Sequence, residues 1–112
     1  MDEARARELL ALHRERIERA LADLAPSGDE ELSHLDQHPA DTATQLYDDE
    51  LDEGLAEELR AELAAVERAE QRLENGTYGL SVESGEPIPD ARLEAIPWAE
   101  RTAEEQERYD RG

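Results

Sequence analysis

Thr42 to Asn75 reads TATQLYDDELDEGLAEELRAELAAVERAEQRLEN, a run without proline and with a single glycine. Its apolar side chains are Leu46, Leu51, Leu55, Leu59, Leu63, Val66, Ala69 and Leu73, mostly three or four positions apart. That spacing predicts one helix over 42–75, about 50 Å long at the usual helical rise. Asp41 stands before it as an N-cap, and Asn75-Gly76 is a C-terminal stop. A helix of this length cannot bury its stripe alone, so it needs a partner. The partner lies upstream. From Asp2 to Leu24 the residues Leu9, Leu10, Leu12, Ile17, Leu21 and Leu24 recur at helical spacings, with Arg and Glu on the other faces. This predicts a helix of roughly 35 Å, stopped by Pro26-Ser27-Gly28. Two such helices close as an antiparallel coiled-coil hairpin, and residues 1–75 are expected to form it.

The lengths do not match. About ten residues at the start of the second helix lack a helical partner in the first. The connecting segment Ala25–Ala40 must cover them, with Leu32 and Leu35 packing toward Leu46 and Leu51. A connection this long inside a small domain points to a functional end. The tip of the hairpin is expected near 36–44, around His38-Pro39-Ala40-Asp41.

Charge is concentrated toward the same end. The chain of 112 residues carries 31 acidic and 12 basic side chains, a formal charge of −19, and every basic residue is Arg. Residues 1–24 hold six acids and five Arg, residues 25–41 five acids and no base, residues 42–75 eleven acids and three Arg, residues 76–112 nine acids and four Arg. Such a balance disfavours direct binding to DNA or to an anionic membrane, both of which reward clustered Lys and Arg. With no cysteine there is no disulfide, thiolate nucleophile or cysteine-built zinc site. The apolar runs are too short for a membrane-spanning helix or a signal peptide, so a cytoplasmic protein is expected.

After Gly76 the sequence changes style. Thr77-Tyr78-Gly79, Ser84-Gly85, Pro87 and Pro89 make a turn-rich stretch, and Ala91 to Ile96 predicts a short helix ended by Pro97. Tyr78, Leu80, Ile88, Leu93, Ile96 and Trp98 supply a small apolar cluster, thin enough that the lobe should lean on the hairpin. A last helix should begin near Thr102, where Thr102 and Glu105 stand at capping-box spacing. Residues 76–112 are thus a second, smaller unit, and the fold class is mainly α.

Few constellations suggest chemistry. His34 and His38, with Asp41 nearby, have the spacing of a shared metal site on a helix, but Pro39 and the absence of an HExxH pattern favour polar loop residues. His13 reads as a surface or boundary residue on the first helix. The acids Asp48, Asp49, Glu50, Asp52 and Glu53 have no evident pocket to shift a pKa. Ser81 and Ser84 have no His close in sequence, and no glycine-rich phosphate loop exists. An enzyme is not expected.

Two stretches resemble the DksA/TraR family of bacterial transcription regulators. GTYGLSVESGEPIPDARLEAIPWA, residues 76–99, is similar to the family's zinc-finger framework, with its Gly-x-Tyr/Phe-Gly, Cys-x-x-Cys-Gly, Arg-Leu-x-Ala and Pro elements. HPADTATQ, residues 38–45, is similar to the coiled-coil tip pattern Asp-x-x-Asp-x-Ala. Coil, tip and finger follow in family order from about Leu9 to Gln106. The resemblance also sets out the departures. Ser81, Ser84, Thr102 and Glu105 stand where the four zinc cysteines would be, and His38 replaces the first tip acid while Asp41 and Ala43 are kept. A metal-free lobe without cofactor is therefore expected, with helix-end hydrogen bonds holding what the metal held.

The resemblance implies a partner, RNA polymerase, reached by inserting the coil through the secondary channel toward the active site, so that promoter-complex lifetime changes. His38, Asp41 and Ala43 would be the polymerase-interacting tip. Some members act jointly with ppGpp, which makes that nucleotide an implied co-ligand, although this chain has no basic cluster onto which such a site transfers. A monomer is expected. The alternative is an acidic adaptor that binds a basic protein surface through the Asp48–Glu58 face, without acting on polymerase.

Overall fold

The computed structural model describes residues 1–24 and 42–112, with side chains in the second stretch described from residue 52 onward. Among the described residues four helices follow in order: α1, Glu3–Leu24; α2, Thr42–Asn75; α3, Asp90–Ala95; and α4, Ala103–Arg111. The only pairing outside helices among the described residues is an isolated antiparallel bridge between Leu80 and Pro87. The protein is mainly helical, as its periodicity predicts.

Helices α1 and α2 pack along most of α1. Arg14 meets Glu70 while Arg16 meets Glu62, so the partner number falls as the α1 number rises and the pair runs antiparallel. The seam is built from Ala6, Leu10 and Ile17 against Val66, Ala69 and Leu73, with Leu21, Leu59 and Leu63 along its edges. Ala6, Leu10, Ile17, Val66 and Ala69 are fully buried.

Leu12 and Leu55, both assigned to the apolar stripes, are exposed beside this seam. Leu12 is 56% exposed, because two residues beyond Leu10 the helix has turned about 200°. Leu55 is 50% exposed. The next residue, Ala56, is only 7% exposed, so the buried stripe of α2 passes through Ala56 and Leu59 and leaves Leu55 about 100° to its side. Ala6 was not read as core, yet a small side chain suits a place where two helices approach closely.

α2 stops as expected. Gly76 adopts φ +77°, and the N–H groups of Gly76 and Thr77 return to the carbonyls of Leu73 and Arg72 at 3.3 and 2.9 Å. These are the two bonds of a Schellman turn, in which a left-handed residue after the helix satisfies its last carbonyls. The chain then turns over 81–85, where the N–H of Gly85 donates to the carbonyl of Ser81 at 2.9 Å. It runs back alongside itself, with Ser81 N–H on Glu86 carbonyl at 2.8 Å and Ile88 N–H on Gly79 carbonyl at 2.7 Å. Pro89 leads into α3, one residue earlier than expected, and buried Pro97 follows its end.

The lobe core is Ile88, Leu93 and Ala99, with Tyr78 and Ile96 packed against it. Leu80, in the bridge with Pro87, is not part of it and is 39% exposed. Tyr78 belongs to both cores: its ring packs on the hairpin seam and on the lobe, while its hydroxyl donates to the Pro97 carbonyl at 2.8 Å. Trp98 packs against the hairpin core. The lobe leans on the hairpin through these two aromatic side chains.

Candidate functional site

Four residues singled out in the lobe, Ser81, Ser84, Thr102 and Glu105, come together in one polar node. Thr102 caps α4: its hydroxyl accepts the Glu105 N–H at 3.2 Å, and its own N–H donates to Glu105 Oε1 at 2.9 Å. This is the capping box expected from the sequence. The same Oε1 accepts the Ser81 hydroxyl at 2.7 Å, across 24 residues of chain. Ser81 Oγ in turn accepts the N–H groups of Glu83 and Ser84 at 3.0 and 3.2 Å. Ser84 Oγ accepts the Glu86 N–H at 3.3 Å. Ser81 and Glu105 are 5% and 7% exposed, so the bonds are shielded from water. The Ser81 hydroxyl foremost, then the Thr102 N–H and the Ser84 hydroxyl, hold the Glu105 carboxyl down at about 2.

The node has little to offer a zinc ion. It presents three hydroxyls and one carboxylate, with no thiolate and no imidazole, and the Ser81 proton is already committed to the carboxylate. Among the described residues, no three His, Asp or Glu side chains gather as a metal ligand set.

A second cluster fixes the lobe on α2. Glu100 receives Arg68 through Nε and Nη2 at 2.9 and 3.0 Å, and Arg72 through Nη1 at 3.3 Å. Arg72 also donates to the Ala99 carbonyl at 3.4 Å, and its Nε is buried without a partner. The Arg68 hydrogen bonds lower the Glu100 carboxyl, whereas burial lowers the Arg72 guanidinium. His13, a boundary residue as expected, meets Trp98 edge-on at 4.9 Å, and its Nδ1 lies 3.2 Å from Arg16 Nη2. Burial first, and Arg16 second, lower its pKa. The Glu100 cluster was missed in the sequence, although Arg68 and Arg72 stand four apart on one helix face and so advertise a shared acceptor.

At the hairpin end, His34, His38 and Asp41 lie outside the described residues. Ala43 is the second residue of α2, and its side chain also lies outside them. No described helix is long and apolar enough to cross a membrane.

Known proteins resemble both the lobe and the hairpin. Residues 76–111 match the family described as the prokaryotic dksA/traR C4-type zinc finger. The chain is 47% identical over 74 residues to the uncharacterized protein YteA of Bacillus subtilis (strain 168), covering 66% of this chain and 31% of that one. It is 38% identical over 88 residues to the RNA polymerase-binding transcription factor DksA of Caulobacter vibrioides (strain NA1000 / CB15N), covering 73% of this chain and 62% of that one. The matched stretches thus span between 31% and 62% of these two curated relatives. The structure of the transcription factor DksA2 from Pseudomonas aeruginosa superposes with a TM-score of 0.78 at 28% identity, over 97% of this chain and 83% of that one.

Proposed function

The chain belongs to the DksA/TraR family, as a member without cysteine, and on that footing we propose that it is an RNA polymerase-binding regulator of transcription. The observation that carries this reading is the extent of the likeness. It takes in hairpin and lobe together, over 97% of the chain in the structural match, and one of the relatives is described as binding RNA polymerase.

The finer reading follows from the shape of the hairpin. α2 is about 50 Å long with the lobe at its C-terminal end, so residues near its start are held far from the lobe. In this proposal the end near 36–44 enters the secondary channel of the polymerase, and His38, Asp41 and Ala43 act close to the catalytic centre. The charge of −19 suits a protein partner better than a nucleic acid, so no direct DNA contact is invoked. A role in the cytoplasm, as a monomer and without catalysis of its own, is part of the same proposal. Several cations of the lobe and adjoining helix are taken up internally: Arg68 and Arg72 by Glu100, Arg101 by Glu83, and Arg92 by the Arg101 carbonyl. In this proposal ppGpp enters as a co-ligand held jointly with the polymerase.

The test is binding to core RNA polymerase together with open-complex lifetime on a standard promoter. Wild type should bind and change the lifetime; Asp41→Asn should still bind but lose most of the effect. If both proteins leave binding and lifetime unchanged, the proposal is wrong. Capture of a basic protein other than polymerase, abolished by neutralising the Asp48–Glu58 face but not by Asp41→Asn, would support the acidic-adaptor reading instead.

A further inference from the structure

The family matched by residues 76–111 is built on a four-cysteine zinc site, and this chain has no cysteine. Zinc in such sites takes thiolates or imidazoles in a tetrahedron, and the metal joins two short chain segments that pack poorly without it. The two segments are present here. One is the 81–85 turn, and the other is the start of α4 at Thr102 to Glu105. Glu105 Oε1 joins them directly, accepting the Ser81 hydroxyl from the turn and the Thr102 N–H from the helix start, while the Val82 N–H on the Glu100 carbonyl at 2.8 Å and the Glu83–Arg101 pair tie the turn to the residues just before α4. Ser81 then carries the connection onward, since its Oγ accepts the N–H groups of Glu83 and Ser84. A zinc ion would have to break these bonds and replace them with weak hydroxyl ligands.

We propose that the Glu105 carboxylate stands in for the metal as the hub of the lobe, so that this lobe folds and stays folded independently of zinc supply and of thiol oxidation. Both halves follow from the chemistry on view. A hydrogen-bonded carboxylate is not removed by a chelator, and neither serine, threonine nor glutamate enters the cysteine oxidation ladder. The inference concerns how the lobe is held and does not depend on what the hairpin binds.

Trp98 is the sole tryptophan and packs at the lobe–hairpin junction, so its near-ultraviolet circular dichroism and fluorescence report on the lobe in the full chain. The wild-type signal and melting midpoint should not change with excess chelator, added zinc or a thiol oxidant. Glu105→Ala should weaken the Trp98 signal and lower its midpoint by about 5 °C or more, whereas Glu104→Ala, an exposed neighbour on the same turn, should not. A variant with Ser81→Cys, Ser84→Cys, Thr102→Cys and Glu105→Cys together should bind one zinc ion per chain and become sensitive to the chelator. Stoichiometric zinc in purified wild type, or a wild-type midpoint lowered by chelator or oxidant, would overturn the inference. So would an unchanged Glu105→Ala, or a four-cysteine variant that fails to fold or to hold zinc with the metal present.

Discussion

Glu100 shows how much one side chain can do at the join between hairpin and lobe. It answers Arg68 and Arg72 together, and Arg72 is only 13% exposed with a buried Nε that has no other partner. Glu100→Ala would leave that guanidinium shielded without a counter-charge. Removal of one member of a shielded pair costs more than the pair contributes, so a loss of about 1–3 kcal/mol in thermal or urea unfolding is expected. Arg111→Ala, which breaks an exposed pair with Glu107, should change stability by less than about 0.5 kcal/mol.

The acid response belongs to the same scale. The Glu105 carboxyl sits at about 2 in the folded protein, below its value in the unfolded chain, and Glu100 is displaced in the same direction. The depressed values mean that the unfolded chain binds protons first as pH falls. The stabilisation is therefore present above pH 4.5 and is lost progressively toward pH 2. A melting midpoint that falls over this window, with a smaller fall in Glu105→Ala, is the expected result; parallel curves would contradict it. At the alkaline end the sign reverses. Burial raises the Tyr78 hydroxyl to about 12, so its contribution is whole below pH 10 and is lost as pH rises toward 12.

At the scale of elements, the seam of α1 and α2 separates leucines that look alike in the sequence. Leu10 is fully buried among Val66, Ala69 and Leu73, and Leu10→Ala should cost about 2–4 kcal/mol in urea unfolding. Leu12→Ala, on the opposite face, should lie within about 0.5 kcal/mol of wild type. Helical periodicity revealed both long helices, their antiparallel pairing and the Asn75-Gly76 stop, because each rests on local spacing or a local turn. It did not rank Leu12 below Leu10, nor Leu55 below its buried neighbour Ala56, since both depend on rotation about the helix axis. The Thr102 and Glu105 pair was legible for the same reason as the helices: capping is local. Ser81 carries no local mark of an acceptor 24 residues away, and only the resemblance, which puts it at a zinc-cysteine position beside Thr102 and Glu105, grouped it with them. Arg68 and Arg72 were half legible, their spacing visible and their acceptor on another element. The expected tip residues His38 and Asp41 fall outside the described residues, so their part rests on the resemblance alone.

At the scale of the whole molecule, charge and shape act together. The five Arg of α1 are largely matched by acids on α1, α2 and α3, as in Arg14 with Glu70 and Arg5 with Glu94, while the excess of acid lies toward the start of α2. An elongated body with its uncompensated charge at one end approaches a basic cavity end-first. If RNA polymerase is the partner, the association rate should fall by roughly tenfold or more between low and half-molar salt, with a smaller change in dissociation. A salt-independent association rate in stopped-flow measurements would count against electrostatic entry by the hairpin end.

The bond from Ser81 to Glu105 spans 24 residues and joins two groups that translation itself supplies. A cross-link made from an outside component forms at a rate set by the concentration and delivery of that component. This one is intramolecular, and its closure is of first order in the protein alone. Once residue 105 and the first turn of α4 have emerged from the ribosome, nothing else has to arrive, and assembly of the lobe proceeds on the time scale of loop closure and helix formation. With the carboxylate in the place of the metal, as proposed above, closure of the lobe keeps step with synthesis of the chain.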